Sequence, residues 1–315
     1  MREYVAWMPL PPDTRPPAPL PDDLPPLTHW ASVSDAAAEA VRRFTTPPSI
    51  TRRITDAQLR PAMPKFMPLD GVHRDVLGSE GRVAFWSWGH ADWPLVVCVH
   101  GWGGRGTQWS SLANALLDVQ HRVVVLDAPA HGASDGDRAS MPGFRNALLR
   151  VLDATGTPHA LVGHSLGGLA VLAAIASRAN AGVSPLPMAV SIGAPSSINR
   201  PMSRFLRRHQ GTDAVHVEMI AQLEKRWHFH WRDLDTVSLA AQADAGGGAP
   251  LLVVHAADDA QVPLIESEGL VTDWPRAERW LAPEGSGHVK ILREPLVVQR
   301  IVNFVRGQPA VSDGR

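Results

Sequence analysis

The apolar and polar positions of this 315-residue chain fall into three regimes: a proline-broken lead, an alternating series of strand and helix patterns, and a helical interruption inside that series. Leu95 to Val99 is an unbroken apolar run, as expected of a strand covered on both faces. Patterns for a helix over Trp109 to Leu117, a strand over Arg122 to Leu126, a helix over Gly143 to Ala154 and a strand over Ala160 to Gly163 follow. A helix over Leu166 to Ala179 and a strand over Met188 to Ile192 continue the series. In the second of these helices Phe144, Ala147, Leu148, Val151 and Leu152 recur at spacings of three and four, which makes one apolar face. Upstream, Val72 to Leu77 and Arg82 to Trp88 read as two strands of a hairpin joined through Gly78 to Gly81.

After Gly193-Ala194-Pro195 the strand pattern stops. Met202, Phe205 and Leu206, then Val215, Met219, Ile220, Leu223 and Trp227, stand at helical spacings, and Gly246 to Gly248 closes the stretch as a flexible joint. Leu251 to His255 resumes the buried-strand pattern, followed by a helix around Leu264 to Val271, a strand around Ala277 to Leu281 and an amphipathic helix from Pro295 to Val305. Strand and helix in alternation predict an α/β fold with a mostly parallel central sheet and helices on both faces. The prolines between Pro9 and Pro26 bar a helix or central strand there. Ser32 or Ser34 is placed to cap a short helix over Asp35 to Phe44. The predicted organisation is an extension over 1–68, a core over 69–195 and 249–308, a helical insertion over 196–248 and a tail over 309–315.

Composition narrows the class. Net charge is −1, and the basic residues are scattered apart from Arg52-Arg53 and Arg204 to Arg208, so no nucleic-acid partner is expected. The single cysteine, Cys98, lies in an apolar strand and implies no internal disulfide. No apolar stretch approaches the ~20 residues of a membrane span, and the first residues lack the apolar region of a signal peptide. A cytoplasmic protein is the expectation. No feature assigns an oligomeric state.

The candidate chemistry centres on Gly163-His164-Ser165-Leu166-Gly167, a G-x-S-x-G between a strand and a helix. A serine on so tight a turn needs glycine on both sides, because a Cβ would crowd the backbone. The simpler reading is a glycine-rich turn whose serine caps the helix. A serine nucleophile needs a base, and in an open α/β sheet its partners should lie on loops beyond the carboxyl ends of other strands. Two later loops carry such groups: Asp258-Asp259-Ala260-Gln261-Val262-Pro263 and Gly285-Ser286-Gly287-His288.

With His100-Gly101-Trp102-Gly103 added, these motifs stand in the order of the α/β-hydrolase superfamily, and the chain resembles its esterase- and lipase-like serine hydrolases from about residue 72 to 306. The resemblance implies an α/β-hydrolase fold with 196–248 as the helical cap. It implies Ser165 as nucleophile, His288 as base and Asp259 as acid, from the D-x-x-V-P pattern, with Asp258 as the rival. It also implies an oxyanion hole from the backbone N–H groups of Trp102 and Leu166. His100 admits a catalytic or a bracing reading, and Asp127 to Ser134 resembles a structural turn of the family. Elbow histidines such as His164 usually pack beneath the turn. His228 and His230 are spaced poorly for a metal. No metal or organic cofactor is expected.

Of the insertion's apolar residues, Met202, Phe205, Met219, Leu223 and Trp227 are candidate pocket residues, although most of the stripe must pack the insertion itself. The expected function is hydrolysis of small to medium, largely apolar carboxylic esters through an acyl-enzyme, the partner being a small-molecule ester-like substrate. Thioester, amide, lactone or carbon–carbon bond hydrolysis, or ligand binding without catalysis, are the alternatives.

Overall fold

The computed structural model describes residues 24–48 and 81–308. In chain order the helices and strands are α1 (Val33–Thr45), β1 (Phe85–Trp88), β2 (Leu95–Val99), α2 (Ser110–Asp118), β3 (Arg122–Leu126), α3 (Met141–Thr155), β4 (Ala160–His164), α4 (Leu166–Asn180) and β5 (Met188–Ile192). They continue as α5 (Asn199–Arg208), α6 (Asp213–Trp227), α7 (Thr236–Ala245), β6 (Leu251–Ala256), α8 (Ile265–Asp273), β7 (Ala277–Ala282), α9 (Gly287–Lys290) and α10 (Pro295–Val305). The described residues form two compact units, 24–44 with 198–226, and 45–48 and 81–197 with 227–308.

The larger unit is built on a seven-stranded sheet in the order β1-β3-β2-β4-β5-β6-β7. β1 runs antiparallel to β3, and every other neighbouring pair is parallel. This is the mostly parallel α/β sheet that the alternating pattern predicts. Its inner strands are buried on both faces, which is why they read as uninterrupted apolar runs. On one face, alternate residues such as Val96, Cys98, Val162 and Val254 pack with Trp109, with Leu112 and Leu116 of α2 and with Val297, Ile301 and Val305 of α10. On the chain's other long helices, α4 packs against both α3 and α7. Full burial of an aromatic or branched aliphatic side chain contributes roughly 1.5–3 kcal/mol. Trp109 and Phe144 are among the largest side chains buried this way.

The strand order reverses direction at β2, where the chain first steps out to β3 and then crosses back to β4. Loops leaving the carboxyl ends of strands at such a switch diverge and leave a crevice, the common ligand position of open α/β sheets. β2 and β4 are direct neighbours, with Val99 opposite Gly163, so the loops after them start side by side. The loops after β5, β6 and β7 follow in spatial order.

The first strand departs from its sequence-based expectation. Only Phe85–Trp88 is a strand, and Arg82 to Ala84 instead pair with the turn after β3. There the Ala84 N–H donates to Ser134 Oγ, the Asp127 N–H to the Ala84 carbonyl and the Asp135 N–H to the Arg82 carbonyl. Those hydrogen-bonding groups are satisfied by a turn, so no strand ladder extends over them. β1 pairs with β3. The expected hairpin partner, Val72 to Leu77, lies outside the described residues, as does most of the proline-dense lead.

In the smaller unit α1 is capped by Ser32, whose Oγ accepts the Asp35 N–H at 3.1 Å. The helix lies with α5 and α6: the Phe44 and Phe205 rings are 5.2 Å apart, and Gln222 donates to the Ser34 carbonyl at 3.2 Å. Leu27 N–H donates to the His209 carbonyl at 2.9 Å. Arg43 Nη1 lies 3.2 Å from His209 Nδ1, where the guanidinium donates and the imidazole nitrogen accepts. Burial first, then the Arg43 charge, push the His209 pKa down from 6.5 to about 4. The unfolded chain therefore binds a proton on this ring that the folded chain refuses, so the stabilisation is complete above pH 6.5 and is lost as pH falls toward about 4. Urea midpoints measured between those limits are expected to fall with pH, with a shallower fall in His209→Asn, which keeps an acceptor without the titration.

Candidate active site

Ser165 sits between β4 and α4 with φ 52° and ψ −123°, a left-handed conformation that costs a non-glycine residue about 1–3 kcal/mol. The Ser165 N–H donates to the Ile192 carbonyl at 2.8 Å, and its carbonyl accepts the Gly168 N–H at 2.9 Å. Its side chain makes no capping hydrogen bond, so the helix-cap reading has no support in the geometry. The neighbouring glycines are sterically required. A Cβ on Gly163 would fall on the Gly167 carbonyl, and one on Gly167 would fall on the carbonyls of Val99 and His100. A Cβ on Gly101 would stand 2.8 Å from Ser165 Cβ, so the loop after β2 lies against the serine.

The loops after β6 and β7 bring Asp259 and His288 together. His288 Nδ1–H donates to Asp259 Oδ2 at 2.7 Å, while the N–H groups of Gln261 and Val262 donate to Oδ1 at 2.8 and 2.9 Å. Burial alone would raise the Asp259 pKa. The hydrogen bond and charge of His288, with the two backbone donors, outweigh it and hold the carboxylate below its usual range. This pairing leaves Nε2 as the His288 nitrogen available to take a proton. Ser165 Oγ makes no hydrogen bond among the described residues; such serine–histidine bonds commonly align only in the substrate complex. Asp258, the rival carboxylate, turns elsewhere, and its Oδ1 accepts the Gly287 N–H at 3.1 Å.

The loop after β2 is held by histidines and a carboxylate. His100 Nδ1–H donates to the Gly101 carbonyl at 2.7 Å, and its Nε2 accepts the Ala128 N–H at 2.9 Å. Both ring nitrogens are thus engaged, which matches the bracing reading, and burial keeps the ring neutral by pushing its pKa well down. His131 Nε2 accepts the Gly103 N–H at 3.1 Å and its Nδ1–H donates to the Pro129 carbonyl at 2.9 Å. Asp127 accepts from Gly106 N–H at 2.6 Å and Ala133 N–H at 2.8 Å, so this carboxylate organises the loop. The backbone N–H groups of Trp102 and Leu166 have no acceptor among the described residues.

Three nearby residues carry no signal that the sequence reading picked up. His255 Nε2–H donates to the Val262 carbonyl at 2.9 Å and so ties down the turn that supplies the donors to Asp259. Gly193, with φ 54°, faces the Asp259–His288 pair: its Cβ would stand 3.3 Å from Asp259 Oδ2 and 3.4 Å from His288 Nδ1. Glu266 Oε2 accepts the Ser196 N–H at 2.8 Å just beyond β5. The signal available for His255 and Gly193 was position, since each lies at or just past a strand's carboxyl end, whereas Glu266 lies on α8 and had none.

Among the candidate pocket residues, Met202, Met219, Leu223 and Trp227 are buried, and the Phe205 ring lies against Phe44 and His209. His228 and His230 follow α6, and among the described residues no three His, Cys, Asp or Glu side chains group as a metal site. Nor is any described helix long and apolar enough to cross a membrane.

The family model described as alpha/beta hydrolase fold matches residues 94–214. The chain is 29% identical over 256 residues to RutD of Pseudomonas savastanoi pv. phaseolicola (strain 1448A / Race 6), named provisionally as a carbamate hydrolase; the match covers 70% of this chain and 96% of that protein. A stretch of 86 residues is 40% identical to RutD of Variovorax paradoxus (strain S110), which bears the same provisional name. That match covers 26% of this chain and 32% of the relative, so it spans about a third of the relative's length. The fold is similar to that of a provisionally named lipase, lip1, from Acinetobacter baumannii AYE, with TM-score 0.58 at 17% identity, covering 82% of this chain and 98% of that one.

Proposed function

We propose, for a chain that belongs to the α/β-hydrolase superfamily, that it is a serine hydrolase cleaving carboxylic esters through an acyl-enzyme. The observation that carries this reading is the 2.7 Å bond from His288 to Asp259, made by loops beyond β6 and β7 in a chain that already holds Ser165 at a strained elbow after β4. Ser165 Oγ attacks the ester carbonyl as His288 Nε2 removes its proton, and Asp259 keeps the ring in the Nδ1–H tautomer and stabilises the imidazolium. The carbonyl oxygen gains negative charge and accepts hydrogen bonds from the N–H groups of Leu166 and Trp102; removing one such donor costs about 3 kcal/mol of barrier. His288 then gives its proton to the leaving alkoxide, and water attacks the acyl-enzyme with the same ring as base. The preference for small to medium apolar esters is carried by the sequence alone, in which Met202, Phe205, Met219, Leu223 and Trp227 are the apolar candidates of the insertion.

A second reading, hydrolysis of a carbamate, is favoured by the likeness to RutD over most of that protein's length. A carbamate carbonyl would meet the same nucleophile and the same oxyanion donors. Nitrophenyl esters of rising acyl length, assayed beside a nitrophenyl carbamate, separate the two. Labelling by a fluorophosphonate probe tests the shared premise: an unlabelled protein ends the serine-hydrolase reading and leaves ligand binding on the same fold.

The two adjacent carboxylates give a sharper test. Asp259→Ala is expected to lower kcat by about 10³–10⁴, as loss of the group that orients the base does in triads of this kind. Asp258→Ala removes one bond to Gly287 N–H on an exposed turn and is expected to lower kcat by no more than about fivefold. Equal damage from both variants in steady-state assays contradicts the assignment of the acid.

A further inference from the structure

His164 precedes the elbow serine and is almost fully buried. Its Nε2 lies 2.8 Å from the backbone carbonyl of His288, 124 residues away in sequence. A carbonyl only accepts, so Nε2 carries the proton and Nδ1 carries the lone pair. The two imidazole rings lie 4.7 Å apart. On the other side, a Cβ on Gly101 would stand 3.1 Å from His164 Nδ1, so the ring also borders the loop after β2. Three segments therefore meet at one side chain: the elbow, the turn that carries His288 and the loop after β2.

The other ring nitrogen is informative. His164 Nδ1 is buried with no hydrogen-bond partner among the described residues. A buried acceptor left unsatisfied is destabilising, and a phenylalanine or leucine in this place would avoid it. What the imidazole has and those side chains lack is the Nε2–H donor. We infer that His164 is a positioning residue for His288, its Nε2–H bond pinning the backbone of the base-bearing turn to the nucleophile elbow. The ring suits this role because it stays uncharged: burial, then the nearby His288, push its pKa from 6.5 to about 3. The ring is therefore neutral near pH 7, with its proton on Nε2 as the His288 carbonyl requires.

The arrangement has a mechanical logic. Asp259 holds the side chain of His288 through Nδ1, which fixes the ring's direction but leaves the short turn over Gly287–Lys290 to be located by its backbone. Gly287 N–H is taken by Asp258, and the His288 carbonyl by His164. Reaction by proton transfer is sensitive to such placement, since a displacement of about 1 Å can lower a rate by roughly 100-fold.

The effect on rate rests on the serine-hydrolase reading, whereas the bond itself does not, and the test separates them. His164→Phe keeps a ring and removes the donor; His164→Gln puts an amide N–H near the position of Nε2. The fluorophosphonate labelling rate of Ser165 is expected to fall about tenfold in His164→Phe and to stay within about threefold of wild type in His164→Gln, with unchanged thermal midpoints. In spectra of ¹⁵N-histidine-labelled wild-type protein, His164 is expected as the Nε2–H tautomer. The His288 Nδ1–H signal is expected to move in the Phe variant and to return in the Gln variant. Wild-type labelling in His164→Phe, equal loss in both variants, or an Nδ1–H tautomer at His164 each overturns the inference. Wild-type protein that takes no label at all ends the hydrolase reading, and the tautomer and the His288 signal then decide by themselves whether His164 holds the turn.

Discussion

Ser165→Ala is expected to abolish fluorophosphonate labelling and to lower kcat for a nitrophenyl ester by about 10⁵–10⁶, with His288→Ala close behind. The two losses should not add, because a nucleophile without its base and a base without its nucleophile fail at the same step. The double variant is therefore expected to be no worse than either single one by more than about tenfold. What remains should be catalysis by the oxyanion donors and substrate binding alone. Ser165→Ala removes a single hydroxyl and should change the thermal midpoint little, whereas His288→Ala takes a buried partner from the Asp259 carboxylate and is expected to lower it. Full turnover in purified Ser165→Ala would remove the nucleophile from the mechanism.

Gly167→Ala is expected to be strongly destabilising for a single added methyl group. Its Cβ would meet the backbone carbonyls of Val99 and His100, where β2 ends. Backbone atoms of a central strand cannot rotate away as a side chain can. The elbow would have to lift from β2, and β2 and β4 pair directly with Val99 opposite Gly163. Overpacking of this kind costs about 3 kcal/mol or more. At roughly 2–4 °C per kcal/mol for a domain of this size, the midpoint should drop by about 10 °C, measurable by circular dichroism. An alanine variant with an unchanged midpoint would mean that the elbow and β2 are not packed as described.

The sheet was legible because parallel strands covered on both faces are written as continuous apolar runs, and β2 through β6 have that form. β1 was less legible. Arg82 to Ala84 continue the apolar–polar pattern of a strand, but their hydrogen bonds go to the turn over Asp127 to Asp135, and no local pattern states which distant turn will meet a segment. The motif residues Ser165, Asp259 and His288 could be picked out because the chemistry demands particular residue types at strand ends. His255 and His164 could not be picked out in this way. Each is a histidine in an apolar strand, and its significance lies in one carbonyl reached through folding, that of Val262 or of His288.

The helices between β5 and β6 divide the same way. Their amphipathic spacing predicts helices, and α5, α6 and α7 are helices. Their partners are tertiary: α7 packs on α4 in the larger unit, whereas α5 and α6 form the smaller unit with α1, a helix far earlier in the chain. The apolar stripe of a helix specifies that it must be covered, without naming the surface that covers it.

By itself, then, the sequence determined the alternation of strands and helices, the glycines that let a serine stand on a tight elbow, and the order in which Ser165, Asp259 and His288, the proposed nucleophile, acid and base, follow one another. These are local properties, set by side-chain period, steric volume and residue chemistry. Only the tertiary structure decided that Asp259 rather than Asp258 meets the His288 ring, that both nitrogens of His100 are engaged in bracing a loop, and that His164 reaches the His288 backbone. Those outcomes turn on distances of 2.7 to 3.1 Å between residues up to 124 positions apart. Hydrogen bonding is directional and short-ranged, so a sequence can supply the donors and acceptors while the packing of the sheet and its loops selects which of them pair.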